Sequence, residues 1–258
     1  VRANQRVETS SEHIAMHKPD SAVVFDNVAA APGVRLLTLS LSSPWPFQPG
    51  QVAELATTPG TEGYFAIASA PSEAITSGRL AFLVKAGDSD SEPLMRLTAG
   101  ASITVRGPFG AGFDLSVASG DHPLLFVTAG TALAAIRSAV VEALGRFAGP
   151  RVSVLIGVRH ATDLCFTNEL VAWQGRGVDV RIALSYGDSD LDLALPLRAA
   201  RGRVQVHLSA LVSPTTHAFI AGSEELEEAV MAALVAGGVP VRHIQRNYRA
   251  DWRREFGE

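Results

Sequence analysis

At 258 residues, with 47% hydrophobic and 19% charged side chains, the chain is long enough for two domains of roughly 100–150 residues and too apolar for wholesale disorder. A formal net charge of -4 argues against a general nucleic-acid binder, which would carry a basic excess or stripe. The one cysteine, Cys165, excludes an internal disulfide and an iron–sulfur cluster held by this chain alone, since such a cluster takes about four thiolates.

The chain starts VRANQRVETSSEHIA, without methionine. Its arginines and serines suit the remnant of an organelle transit peptide, and trimming of the terminus explains the same start equally well. From about Ser21 to Leu115 the segments are short and alternating, with turn residues between them. VRLLTLSL (Val34 to Leu41) reads as a strand and SPWPFQPG as a proline-rich turn. QVAELAT, GYFAIAS, RLAFLVKA and ASITVRG read as further strands, each bounded by Gly, Pro, Ser or Asp. Only SEPLMRLTAG (Ser91 to Gly100) has a helical character, with Ser91 as N-cap and Gly100 as its stop. This spacing predicts a small antiparallel barrel.

After ASGDHP the period changes. LLFVTAG (Leu124 to Gly130) is a continuous apolar run, the pattern of a strand buried on both faces. TALAAIRSAVVEALGRF repeats its apolar positions every three or four residues and predicts a helix, interrupted on its polar side by Arg137 and Glu142. RVSVLIGV, VDVRIALS, VQVHLSALV, HAFIAG and VPVRHIQRNY read as strands, and TDLCFTNELVAW and SEELEEAVMAALVAGG as helices. Alternating strands and helices predict a doubly wound parallel sheet. The change of period falls near Val117 to Asp121, which divides the chain into residues 20–118 and 119–248, with terminal extensions 1–19 and 249–258. No apolar run approaches the roughly 20 residues of a membrane-spanning helix.

Several short stretches could carry chemistry. TAGTALAA places Thr128 to Leu133 at the carboxyl edge of the parallel sheet, where a helix N-terminus offers free N–H groups to a pyrophosphate; a tight strand-to-helix turn explains the same residues. The spacing does not match G-x-G-x-x-G. RGPFGAGF (Arg106 to Phe113) carries glycines that could aim N–H groups at an anion, or simply form a glycine-rich hairpin. In AGSEELEEA, Gly222 permits close approach and Ser223 caps, while the acidic run suits a solvated first turn. Arg159 in GVRHATD could touch a cofactor phosphate or ribose, or lie free on the surface. The seven histidines show no metal-ligand spacing, Cys165 suits packing rather than nucleophilic attack, and no serine sits in a G-x-S-x-G elbow.

FQPGQVAEL, GYFAIASAP, LVKAG, GPFGAGF, LLFVTAGTALAAIRS, GVRHATDLCFTNEL and FIAGSEELEEAV run in the order seen in the ferredoxin–NADP reductase superfamily, and the chain resembles that superfamily from about Val23 to Tyr248. The aromatic-Ala-Ile-Ala-Ser form is similar to a plastid branch. The chain also resembles electron-transfer subunits of the dihydroorotate dehydrogenase type, without their cysteine-rich tail. The resemblance implies an N-terminal antiparallel β-barrel holding FAD and a C-terminal α/β domain holding NADP or NAD. It implies hydride transfer between nicotinamide and flavin and delivery of electrons to an acceptor that the residues do not identify.

Carried over position by position, the resemblance sets Phe65 against the flavin or ribityl chain and Ile67, Ala68 and Ser69 along the isoalloxazine through their backbone. Lys85 and Ala86 lie near the adenine side, and Ser91, Gly107, Pro108, Phe109 and Gly110 approach the FAD pyrophosphate. Thr128, Gly130, Thr131 and Ala132 face the dinucleotide, with Arg159 near its ribose or 2′-phosphate. Ala221 and Gly222 flank the nicotinamide, and Tyr248 or Trp252 could stack on the flavin, although Trp252 better suits a basic helical tail lying on the surface. The departures fall at sensitive positions. Gly63 stands where an arginine would pair with the FAD pyrophosphate, a loss of about 1.5–3 kcal/mol or about 10- to 100-fold in affinity. Ala66 and Ala221, on the hydride path, lack the usual hydroxyl and thiol, and Ala132 and Ala135 replace a glycine and a proline.

Two functions are therefore expected: a flavin-dependent NAD(P)H oxidoreductase, or a degenerate reductase-fold protein serving as a non-catalytic subunit or assembly factor of a larger redox or photosynthetic complex. The branch implies the chloroplast stroma, with a bacterial cytoplasm as the alternative.

Overall fold

The computed structural model describes residues 20–87, 89–117, 122–186 and 196–247. The expectations for Tyr248 and Trp252 lie outside the described residues.

In the first half, alternation builds an antiparallel sheet of β1 (Asp20–Ala31), β2 (Val34–Leu41), β3 (Val52–Ala56), β4 (Gly63–Ala66), β5 (Arg79–Lys85) and β6 (Ser102–Phe109) in the order β4-β3-β6-β1-β2-β5. Leu37, Leu39, Leu55, Ile67, Leu80, Phe82, Val84 and Val105 point inward, each fully buried, and form the barrel core. The long strand β1, which pairs with both β2 and β6, is an element that its mixed run DSAVVFDNVAAA hid in the sequence.

Two helical expectations change. A helix the sequence reading missed, α1 (Pro71–Ser77), follows β4. Its signals are local: Pro71 presets the first turn, Glu73 Oε2 accepts the Ala70 N–H at 2.8 Å, and Gly78 at φ 68 ends it. The expected helix Ser91 to Gly100 is the shorter α2 (Ser91–Met95), whose N-cap position is Asp90, so Ser91 lies inside the first turn rather than capping it.

The second half is a parallel sheet of β7 (Leu124–Ala129), β8 (Val152–Val158), β9 (Asp179–Leu184), β10 (Arg198–Arg201), β11 (His217–Ala221) and β12 (Ile244–Arg246), ordered β10-β9-β8-β7-β11-β12. The helices are α3 (Leu133–Arg146), α4 (Thr167–Gly175) and α5 (Glu224–Ala236). VQVHLSALV, expected as a strand, instead starts with a 3-10 turn at Val204–His207, and the real edge strand is β10. Its sequence RAAR has no apolar alternation, because an edge strand leaves most of its side chains in water. Helix α4 starts at Thr167 rather than Thr162, since Phe166 takes the left-handed φ of 59.

The two sheets share one core. Val34 and Leu83 on the outer face of the barrel, with Ala68, pack against Leu133, Ile136, Val140 and their neighbours on α3. A second contact closes the far side, where Gln245 exchanges two 2.8 Å hydrogen bonds with the backbone of Asp114. No helix among the described residues is long and apolar enough to cross a membrane.

At the amino edge of the parallel sheet, His217 opens β11, its ring stacked on His243 at 4.3 Å and tilted toward His122 at 5.5 Å. Burial, then the neighbouring His243, His122 and Arg151, hold the His217 imidazole below its usual pKa. Folding therefore disfavours proton uptake there, so the unfolded chain binds more protons and stability falls as pH drops through the usual imidazole range. We expect Tm to fall between about pH 7.5 and about pH 5.5 in a thermal melt, and to fall less steeply in His217→Gln.

Candidate functional site

The order of the parallel strands reverses direction at β7, leaving the carboxyl ends of β7 and β8 open on one side and β11 on the other. Such a switch point is where doubly wound sheets bind ligands. At this point Gly130, at φ 57, turns the chain into a 3-10 turn, Gly130–Ala132, that runs directly into α3. A Cβ on Gly130 would meet nothing within 4 Å, so the space above the turn is open. No side chain caps this turn or the start of α3, which leaves first-turn N–H groups directed at the opening.

The opening is a cavity of about 1210 Å³. Pro32, Val34 and Lys85 of the barrel form one wall, and Gly130, Thr131 and Gly157 form the floor. Arg159, Ser185, Tyr186 and Arg203 line its far end. Both guanidinium groups are exposed, and neither pairs with a carboxylate among the described residues. Cys165 sits in the wall as well, but burial and the nearby Asp163 push its thiol up to about 11, so it stays protonated. Among the described residues no group of three or more His, Cys, Asp or Glu could hold a metal.

The other expected residues fall into three places. Thr128 and Ala221 are register partners on β7 and β11, both fully buried. Ala129 lines the cavity, so alternation turns Thr128 to the opposite face, where its Oγ1 has no hydrogen-bond partner. Gly222 lies where a Cβ would meet Leu226 Cδ2 at 2.7 Å, and glycine lets the first turn of α5 fold down onto the strand end. Ser223 Oγ accepts from Leu226 N, as a cap should.

On the barrel, β4 carries Phe65 and Ala66, both half-buried, and Tyr64 stands edge-on to Phe109 at 5.7 Å. The Phe65 ring lies across Gly63: a Cβ there would sit 2.8 Å from Phe65 Cε2 and 3.0 Å from Asp90 Cβ. The room an arginine side chain would need at position 63 is thus taken by an aromatic ring and by the residue that starts α2. Ser91, next in line, is buried. Ile67, Ala68 and Ser69 are enclosed, with most of their backbone groups committed within the protein. Ile67 N donates to Gln51 O at 3.1 Å and Ala68 N to Ala81 O at 2.7 Å. Gly107, Pro108 and Phe109 lie in β6, where a Cβ on Gly107 would press on Trp45 and the Val52 carbonyl at 3.2 Å. Gly110, at φ 81, is open.

Sequence reasoning missed Arg203, Ser185 and Tyr186. LSYG directly follows the apolar run of β9, and a strand's carboxyl end was the available signal. Arg203 follows the unrecognised strand β10 and had none.

A barrel with a flavin-type β4 segment, joined through a shared core to a doubly wound sheet with an open dinucleotide turn, defines a two-domain reductase fold. The chain is 32% identical to ferredoxin–NADP reductase B of Sorangium cellulosum over 214 residues, covering 77% of this chain and 83% of that protein. It belongs to the ferredoxin–NADP reductase superfamily. It is also 29% identical over 152 residues to a Ralstonia reductase component of naphthalene 1,2-dioxygenase and salicylate 5-hydroxylase systems, covering 58% of this chain but only 44% of that protein. In fold it matches a Neisseria gonorrhoeae ferredoxin–NADP⁺ reductase solved with FAD and NADP, with a TM-score of 0.73, 15% identity, and 90% and 99% of the two chains covered. No protein-family model matches the chain.

The placement of Phe65 has a direct test. Gly63→Ala should cost about 1–3 kcal/mol in urea unfolding because the ring must move, and most of that cost should vanish when Phe65→Ala is added.

Proposed function

We propose that the chain is an FAD-dependent NAD(P)H oxidoreductase that takes NADPH as its donor. The observation that carries this reading is that one cavity is lined by Val34 and Lys85 of the barrel, by the open turn at Gly130, and by Arg159 and Arg203. The cofactors, when bound, supply the hydride chemistry between nicotinamide and flavin.

The chain's own residues bind and orient. First-turn N–H groups at Gly130 to Ala132 receive the dinucleotide pyrophosphate, where the helix dipole favours negative charge, while the Leu133 N–H is taken up by the Gly130 carbonyl. Arg159 and Arg203 at the far end of the cavity hold a 2′-phosphate, an anion that NADH lacks, and Tyr186 offers a ring face beside them. Phe65 and Ala66 present an apolar ledge for the flavin ring, and Lys85 places a positive charge at the edge of the cleft. With alanine at both Ala66 and Ala221, the side chains there donate no hydrogen bond to the reacting atoms. This leaves the protein's contribution to hydride transfer mainly one of placement. The named activities of the Sorangium and Ralstonia relatives support a protein-borne electron acceptor, a ferredoxin or an oxygenase component.

One observation favours a second reading, a reductase fold retained as a non-catalytic subunit: Phe65 and Asp90 fill the position from which a cation would reach the FAD pyrophosphate.

The visible spectrum separates the two. After incubation with FAD and desalting, the protein should keep a flavin band that bleaches faster with NADPH than with NADH. A colourless protein supports the non-catalytic reading. Arg159→Ala and Arg203→Ala should each weaken NADPH binding about 10-fold while leaving NADH nearly unchanged, read by titration of the flavin-loaded protein.

A further inference from the structure

We infer that Arg137, on the second turn of α3, is a positioning residue for hydride transfer, holding the flavin-side segment in register with the dinucleotide turn that begins the same helix. The inference rests on the proposed reading of the cleft and deepens it.

The geometry is unusually complete for one side chain. Arg137 is 14% exposed, and its guanidinium makes four hydrogen bonds to three partners. Nη1 and Nη2 form a fork on Glu73 of α1 at 2.8 and 2.9 Å. Nη1 also donates to the Ala68 carbonyl at 2.7 Å, and Nε donates to Glu169 of α4 at 2.7 Å. The Phe166 ring covers the guanidinium at 5.2 Å. Glu73 in turn receives the Ala70 N–H, so the cation, the carboxylate and the backbone of residues 68–70 form one closed network. Burial pushes the Glu73 carboxyl upward, but the Arg137 fork and the Ala70 N–H outweigh it and hold the group below its usual pKa.

The neighbours of Arg137 on α3 grip the same segment. Ser138 Oγ donates to the Ser69 carbonyl at 2.8 Å, and Glu142 Oε1 accepts the Ser72 N–H at 2.7 Å. Thus α3 presents its N-terminus to the cavity and its next two turns to residues 68–72. Arg137 lies about one helical turn, about 6 Å, from Leu133 at the start of α3. Ala68 lies about 7 Å along an extended chain from Ala66. A short rigid path therefore connects the dinucleotide turn to the flavin ledge, and a misplacement of about 1 Å can cost about 100-fold in a transfer rate.

The apolar contact of Val34 and Leu83 with α3 does not involve Arg137 and keeps the domains docked without it. That separates positioning from assembly. Lysine keeps the charge but cannot form the fork.

The experiment uses the full chain with Arg137→Lys and, independently, Glu73→Gln, which breaks the fork from the other side and leaves the bond to Ala68. In the unloaded protein, hydrogen exchange at Ala70 and Ser72 should speed up about 10-fold or more in both variants, with Leu125 to Val127 unchanged. In the FAD-loaded protein, stopped-flow reduction by NADPH should show a limiting rate lowered about 10- to 100-fold, with the Kd for NADPH within about 2-fold of the wild type. A limiting rate within about 2-fold of wild type in both variants overturns the positioning role, as does a rate loss matched by equal loss of NADPH affinity. A wild-type chain that takes up no FAD is a different result: it overturns the reading of the cleft, and the positioning role with it.

Discussion

The cleft depends on the outer face of β2 and β5 being out of water. Val34 and Leu83 on those strands would be surface residues of an isolated barrel; here they are part of the core that also contains Leu133, Ile136 and Val140. Apolar burial supplies the attraction but has no direction of its own. Direction comes from polar groups at the margin of that contact, where α3 meets the backbone of residues 68–72 through Arg137, Ser138 and Glu142. The barrel and the sheet are thus joined by a nonspecific force and aligned by a specific one.

The flavin side and the dinucleotide side have diverged differently. At Gly130 the backbone, its positive φ and the open space above it are all present. At Gly63 the glycine is buried beneath Phe65, so it has a packing role of its own rather than being a simple deletion of a cation. Backbone N–H groups and positive-φ glycines depend on the path of the chain, which a fold preserves. Side-chain contacts depend on single residues and can be lost without disturbing that path.

The two-domain order, the barrel, the parallel sheet and the turn at Gly130 were legible because periodicity and continuous apolar runs report burial on one face or two. β10 was not, because RAAR lies at an edge and lacks a buried face to impose alternation. Helix α1 was hidden by its shortness, although Pro71, Glu73 and Gly78 spelled out its start and stop. Within the site, Gly130 and Arg159 lie on the cavity as their strand ends suggested, whereas Ser185 and Tyr186, also at a strand end, were missed and Thr128 turns away from it. Arg203 could not be placed from sequence, because it reaches the cavity only through the fold of the unrecognised edge strand. Arg137 was visible only as a charge interrupting an apolar helix, and its partners are far away in sequence.

The edge strand has a further consequence. Among the described residues β10 ends the parallel sheet on one side and β12 on the other, the positions at which a sheet has to manage its backbone groups. Arg198 and Arg201 bracket the first edge, and Arg246 closes the second. Arginine on an edge strand is one of the ways natural sheets blunt their edges, so the residues that obscured β10 in the sequence suit its place in the fold, with Arg198 sharing its charge with Asp179 at 3.5 Å.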